Sequence, residues 1–66
     1  MKLTIETERA EDGRWIGEVP EIPGVLVYAD SEVAAQAKAE ALALRVLAER
    51  LDHVEAKPFD LTVAVA

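Results

Sequence analysis

Hydrophobic and polar residues alternate at the start of the chain. Leu3 and Ile5 fall on one side of an extended segment, and Thr4 and Glu6 fall on the other. A period of two is typical of a strand with one buried face and one wet face. The pattern therefore predicts a first β-strand from Lys2 to Arg9.

Two turn-forming segments follow this strand. The pair Asp12-Gly13 suits the positive φ values of a hairpin turn, which predicts a second strand from Arg14 to Val19, antiparallel to the first. The segment Pro20-Glu21-Ile22-Pro23-Gly24 then interrupts regular structure, because proline fixes φ and lacks a donor, whereas glycine permits a tight reversal. A short third strand is expected from Val25 to Ala29.

The second half of the chain has a helical pattern. Asp30 and Ser31 are both suited to cap a helix, and Glu32 to Asp52 contains strong helix formers without glycine or proline. Pro58 is expected to stop helical structure, and alternation from Phe59 to Val65 predicts a last strand. The predicted order of elements is β-β-β-α-β.

This order predicts a two-layer α+β fold. A long helix joins the third strand to a parallel fourth strand through a right-handed crossover, and we place the fourth strand beside the first. The expected sheet is mixed and four-stranded, in the order 3-2-1-4, and residues 1–66 are expected to form a single domain. One helix covers only one face of this sheet, so the other face is open to solvent or to a partner.

The predicted helix carries two apolar stripes. One contains Ala35, Ala39, Leu42 and Val46, and the other contains Val33, Ala37, Ala41, Leu44, Ala48 and Leu51. A small sheet that wraps broadly around the helix would use both stripes. Alternatively, the second stripe is an interface at which small residues let another helix approach closely. A chain of this size has a small core, which favours burial against a second copy.

The charge balance bears on the kind of partner. Thirteen acidic and seven basic side chains give a formal net charge of −6, which repels nucleic-acid phosphates and attracts a basic protein. The chain has no cysteine and no uninterrupted run of 18 apolar residues, so we expect a cytoplasmic location. No cofactor is expected, and His53, the lone histidine, does not by itself make a metal site.

Candidate catalytic groups are few. No glycine-rich phosphate loop is present, Ser31 is expected to cap the helix, and His53 lies just past the helix end, where it complements the helix dipole. The strand carboxylates are Glu6, Glu8, Glu18 and Asp60. They are expected to lie on a solvent-exposed side of the sheet, although several acidic side chains on such a sheet also suit a divalent metal.

Several of these features together resemble the N-terminal domain of HicB antitoxins. They are Asp12-Gly13 at the hairpin, Trp15, the motif Val19-Pro20-Glu21-Ile22-Pro23-Gly24, and Asp30-Ser31 opening an alanine-rich helix. The similarity covers essentially all 66 residues, and the Val-Pro-Glu-Ile-Pro-Gly motif is its most specific element. The chain departs from the family at Ala34, where relatives often have an acidic residue. We also do not expect the C-terminal DNA-binding module that HicB proteins commonly carry.

The resemblance implies a degenerate ribonuclease H-like fold without nuclease activity. In that family the partner is HicA, a small basic ribonuclease with a double-stranded-RNA-binding-like fold and a catalytic histidine, and HicB binds over it to block its activity. We therefore expect a non-catalytic, antitoxin-like protein-binding domain that does not bind nucleic acid directly. The alternatives are an orphan structural homo-oligomer and a metal-dependent nuclease that retains ribonuclease H-like activity.

Specific residues are assigned to these expectations. Trp15, Glu21 and Tyr28 are the candidate partner contacts. The turns are expected to depend on Asp12, Gly13, Pro20, Pro23 and Gly24. By analogy with the family, Ala35, Ala39, Leu42 and Val46 face the sheet. The residues then left for self-association, as a homodimer or a dimer of dimers, are Ala41, Leu44, Ala48 and Leu51.

Overall fold

The computed structural model describes residues 1–66 and has the predicted element order. The strands are β1 (Lys2–Arg9), β2 (Trp15–Glu18), β3 (Leu26–Ala29) and β4 (Thr62–Val65), and the helix is α1 (Glu32–Asp52). The sheet order is β3-β2-β1-β4, with β1 and β4 parallel and the other pairs antiparallel. The α+β fold and the strand order 3-2-1-4 are confirmed.

Three strands are shorter than the sequence predicts. Arg14 and Val19 lie just outside β2, Val25 lies just outside β3, and the segment from Phe59 to Leu61 is not part of β4. Phe59 instead packs against the core, which explains why its position fits a hydrophobic pattern. The carbonyl of Asp60 accepts a hydrogen bond of 2.6 Å from the Met1 amino group, so this segment is held beside the start of β1.

The hairpin between β1 and β2 turns at the predicted Asp12-Gly13 pair, but only one of these two residues has the expected positive φ. Ala10 N–H donates to the Arg14 carbonyl at 2.7 Å, and Gly13 N–H donates to the Ala10 carbonyl at 3.0 Å. Only Gly13 has a positive φ, 89°, whereas Asp12 does not. These bonds define a three-residue loop, in which a β-turn is followed by one left-handed residue.

The loop between β2 and β3 consists of two turns around a buried side chain. Ile22 N–H donates to the Val19 carbonyl at 3.0 Å, and Val25 N–H donates to the Ile22 carbonyl at 3.2 Å. Ile22 is only 2% exposed and is part of the core. Gly24 has a φ of 94°, which suits the third position of a turn that has proline at its second position. The two prolines and the glycine therefore shape the loop, while Ile22 anchors it.

Gly17 sets the distance between helix and sheet. The helix packs on β1, β2 and β3. A Cβ atom at Gly17 would lie 2.5 Å from the Ala35 carbonyl oxygen and 3.2 Å from the Ala39 Cβ. Such a contact is too short for any side chain, so glycine and alanine together let the helix approach β2 closely.

The sheet-facing stripe of the helix is wider than the family analogy implies. Ala35 and Ala39 are fully buried, and Leu42 and Val46 are half-buried against the core, as expected. Two further residues, Ala43 and Leu47, are also buried. The core cluster consists of Leu3, Ile5, Val19, Ile22, Val25, Ala39, Ala43 and Leu47.

Both ends of the helix satisfy backbone groups locally. The Ser31 hydroxyl accepts a hydrogen bond of 3.1 Å from Ala34 N–H, as predicted for an N-cap. At the other end, Glu55 N–H donates to the Arg50 carbonyl at 2.8 Å, and Val54 has a φ of 57°. This is a Schellman-type ending in which valine occupies the position that usually holds glycine. The structure contains no helix that combines the length and the apolar character needed to cross a membrane.

Candidate functional site

The face of the sheet opposite the helix forms an exposed surface, here called the open face. Strand alternation and the register of the pairs place Glu6 and Glu8 of β1 on it. They are joined by Ile16 and Glu18 of β2 and by Leu26 and Tyr28 of β3. Leu26 is 49% exposed and Tyr28 is 46% exposed, because the helix packs on the other face of the sheet.

Carboxylates are concentrated at the centre of the open face. Glu6 lies directly opposite Glu18 in the antiparallel register, and Glu8 lies opposite Ile16. A shallow depression of about 310 Å³ is lined by Glu6, Thr7, Glu8, Ile16, Glu18 and Ala66. The only salt bridge in the structure joins Arg14 to Asp12, so no ion pair neutralises these carboxylates. Like charges directly opposite each other destabilise a strand pair, so stability alone does not account for this arrangement.

Tyr28 is held by a neighbouring cation. The Arg14 guanidinium carbon lies 4.5 Å from the centre of the Tyr28 ring, and Arg14 Nε is 2.9 Å from the Asp12 carboxylate. Hydrogen bonds from the Arg14 backbone N–H and then from its side chain lower the pKa of Asp12. Asp12 thus fixes Arg14, and Arg14 restricts the Tyr28 ring on the open face.

Trp15 lies on the other side of the sheet. It is opposite Ala29 in the register, one residue away from the pair Ile16 and Tyr28, so it points to the helix side. Trp15 is half-buried, and the Arg9 guanidinium carbon lies 5.9 Å from its ring centre. The structure therefore does not bring Trp15 and Tyr28 together on one surface.

Glu21 has a structural contact within the chain. Its Oε1 accepts a hydrogen bond of 2.9 Å from Thr4 N–H, and this bond, foremost, lowers the pKa of the Glu21 carboxyl. Thr4 N–H points toward the position where β2 would continue, but β2 ends at Glu18 and supplies no carbonyl there. The carboxylate therefore replaces a missing partner of the strand ladder.

The second helix stripe is exposed in the single chain. Val33 is 73% exposed, Leu44 is 38% exposed and Leu51 is 39% exposed. Ala37 and Ala48 are exposed as well, and Ala41 is half-buried. These six residues, here called the outer stripe, lie on the side of the helix that points away from the sheet.

The remaining candidate groups are dispersed. His53 forms the C-cap of the helix and its Nδ1 lies 2.9 Å from the Glu49 carbonyl oxygen, while Ser31 is at the opposite helix end. Asp60 lies before β4 rather than in it, apart from the open-face glutamates. No group of three or more histidine, cysteine, aspartate or glutamate side chains is arranged to hold a metal ion.

Sequence reasoning missed Ile16, Leu26 and Arg14 as members of the open face. For Ile16 and Leu26 the strand pattern contains the signal, because both alternate with core-facing neighbours, but using it requires the register between β2 and β3. Arg14 lies outside the strands and joins this face through its contact with Tyr28. Comparison with family models, with curated proteins and with solved structures gave no match to this chain.

Proposed function

We propose that this chain is a non-catalytic, cytoplasmic protein-binding domain of the antitoxin type, and that its open face covers a small basic ribonuclease of the HicA type. The observation that carries the proposal is a mixture of exposed apolar groups and unpaired carboxylates on one uncovered face. Tyr28 and Leu26 supply the apolar area, and Glu6 and Glu18 supply the charge. Protein interfaces commonly combine aromatic anchors with charged groups that select the partner.

Electrostatics favour a basic partner. The chain has a net charge of −6, and the open-face carboxylates form no salt bridge within the chain. A lysine or arginine of the partner placed between Glu6 and Glu18 relieves the repulsion between these two groups. The same charge accelerates encounter, and salt is expected to weaken this effect.

Tyr28 is the best anchor on this surface. Tyrosine is common among residues that dominate binding energy, and a side chain already restricted in the free protein loses less entropy on binding. Arg14 lies 4.5 Å from the Tyr28 ring and is itself bonded to Asp12. The Asp12-Gly13 turn therefore contributes to the proposed surface through Arg14.

Inhibition of a purified HicA-type ribonuclease tests this proposal. The wild-type chain is expected to block RNA cleavage, and Tyr28→Ala is expected to weaken inhibition about 30-fold, for a loss of about 2 kcal/mol. Leu26→Ala should also weaken inhibition, whereas Leu51→Ala, at a similarly exposed leucine on the helix, should not. Absence of inhibition by the wild-type chain, or full inhibition by Tyr28→Ala, would contradict the proposal.

The nuclease alternative has a direct test of its own. The purified chain, incubated with labelled RNA and magnesium or manganese, is expected to leave the RNA intact. Cleavage that is present in the wild type and lost in Glu6→Gln would replace the binding proposal with a catalytic one.

A second candidate is self-association through the outer stripe. The exposure of Val33, Leu44 and Leu51 on one helix side favours it, because a two-fold axis lets one apolar patch serve both copies. Sedimentation equilibrium is expected to show self-association that Leu44→Glu weakens. Leu61→Glu is the matched control, since Leu61 is also 38% exposed but lies outside the stripe. A wild-type chain that stays monomeric removes this candidate.

A further inference from the structure

Strand β3 presents backbone hydrogen-bonding groups at an uncovered edge of the sheet. β3 is the first strand in the order β3-β2-β1-β4, so only one of its sides is paired. Val19 N–H donates to the Val25 carbonyl at 3.2 Å, which shows that Val25 and its alternate neighbours Val27 and Ala29 point their backbone groups toward β2. The backbone groups of Leu26 and Tyr28 therefore point outward.

Apart from its short length of four residues, this edge lacks the features that usually prevent strand pairing. Natural edge strands commonly carry charged residues, proline or a bulge. The segment from Val25 to Ala29 has no charge and no proline, and its pairing with β2 is regular. Leu26 N–H already donates to the Gly24 carbonyl at 3.1 Å. The open groups are thus the Leu26 carbonyl and both the N–H and the carbonyl of Tyr28, which fit an extended polypeptide.

We propose that the polypeptide that pairs with this edge is β3 of a second copy, antiparallel, around a two-fold axis through Val27. In this register Leu26 of each copy lies opposite Tyr28 of the other, and the Tyr28 N–H of each donates to the Leu26 carbonyl of the other. Each residue meets a residue on the same sheet face, so the covered and open faces continue across the junction.

The local charge of β3 permits a second copy, although the net charge of the whole chain opposes the approach of two copies at low salt. The chain has a net charge of −6, yet β3 itself carries no carboxylate. Two copies can therefore approach along β3 without placing acidic strand residues opposite each other. A basic partner would gain no ion pair from the strand itself, and the open-face glutamates lie on β1 and β2.

The pairing is compatible with the position of the helices. The helix lies over Gly17 of β2, so the helices of the two copies would be separated by three strand spacings, about 14 Å. This separation exceeds the usual distance of 8–10 Å between packed helices, so the helices do not clash. On the open side, Leu26 and Tyr28 of both copies form one apolar band flanked by carboxylates.

The edge contact is distinct from any contact through the outer stripe. Its two-fold axis is perpendicular to the sheet, whereas an axis relating two outer stripes is parallel to the sheet. Perpendicular two-fold axes that intersect generate a closed dimer of dimers. The edge contact alone yields a dimer with a continuous sheet.

Removal of one backbone donor tests the pairing. A chemically synthesised chain with N-methyl-Tyr28 keeps every side chain but loses the outward N–H, and its association constant is expected to fall at least about tenfold in sedimentation equilibrium. The matched control is N-methyl-Val65 on β4. Thr62 N–H and Ala66 N–H donate to β1, so Val65 N–H points to the opposite sheet edge. This control is expected to associate as the wild type does.

Amide hydrogen exchange on the unmodified chain provides the second measurement, without any ribonuclease present. Protection of Tyr28 N–H is expected to increase with protein concentration, while that of Val65 N–H does not. A monomer at all concentrations, or association unchanged by N-methyl-Tyr28, overturns the proposal. Association weakened equally by N-methyl-Val65 also overturns it, because that result indicates pairing of β3 with β4 in an open chain of copies.

Discussion

Alternate residues of the same strands place very different side chains on the two faces of the sheet. Leu3 and Ile5 are each 1% exposed beneath the helix, whereas Glu6 and Glu8 of the same strand are exposed on the open face. The covered face is explained by burial of apolar area. Burial does not explain the open face, because this face places Glu6 opposite Glu18 and leaves Tyr28 46% exposed. Residues whose placement does not stabilise the single chain are therefore the candidates for binding a partner.

The largest expected effect separates the two faces by stability. Ile5→Ala removes a fully buried side chain and is expected to lower the free energy of unfolding by about 3 kcal/mol. Ile16→Ala removes the same atoms from the half-buried open face and should lower it by about 1 kcal/mol or less. Urea-induced unfolding measures the free energy of unfolding of both variants. If the chain with Ile5→Ala is largely unfolded in water, Ile5→Val serves instead. Equal losses at Ile5 and Ile16 would mean that the open face is also core.

A smaller effect of opposite sign is expected at the facing glutamates. Glu18→Gln keeps the side-chain shape but removes one of two opposed charges, so it should raise the free energy of unfolding by about 0.5 kcal/mol at low salt. The same variant is expected to bind the basic ribonuclease more weakly. Glu49→Gln, at an exposed helix position, has the same net charge as Glu18→Gln. It should change neither the free energy of unfolding nor the binding of the ribonuclease. Loss of stability in Glu18→Gln would show that this carboxylate supports the fold.

The residues that define the two faces differ in how far the sequence predicts them. Strand alternation and the uninterrupted helical segment predict the element order and the helix bounds, because these depend on local periodicity. The centre of the buried stripe, Ala43 and Leu47, was not predicted, since an alanine-rich helix is apolar on more than one side. What orients this helix is Gly17, which lies beneath Ala35 and Ala39. That contact joins segments distant in sequence, so hydrophobic periodicity along the chain does not predict it.

The candidate site was predicted only in part for the same reason. Alternation within single strands predicts that the side chains of Tyr28, Glu6, Glu8 and Glu18 are exposed to solvent. The grouping of Tyr28 with Arg14, and the separation of Tyr28 from Trp15, depend on the pairing of β2 with β3. The contact of Glu21 with Thr4 depends on β2 ending at Glu18. Such pairings are set by tertiary structure, which composition and period do not determine.

The smallest expected effect is the pH dependence contributed by Glu21. The hydrogen bond from Thr4 N–H holds the pKa of the folded Glu21 carboxyl below its ordinary value of 4.5. The unfolded chain therefore binds more protons here, so the stabilisation is present above 4.5 and is lost as the pH falls through the folded pKa. Glu21→Gln keeps an acceptor without a charge. Between about pH 6 and about pH 3, its melting temperature should fall less than that of the wild type. Parallel decreases in the two proteins would exclude this contribution.

Chemical-shift mapping with a HicA-type ribonuclease, made inactive by substitution of its catalytic histidine, tests the central claim most directly. The claim is that the open face, rather than the helix, binds a basic protein. Titration of the labelled chain is expected to perturb the backbone amides of Glu6, Glu18 and Tyr28, with smaller changes at higher salt. The amides of the outer stripe around Leu44 should remain unperturbed. Perturbation confined to the helix, or none at any ratio of the two proteins, would contradict the account.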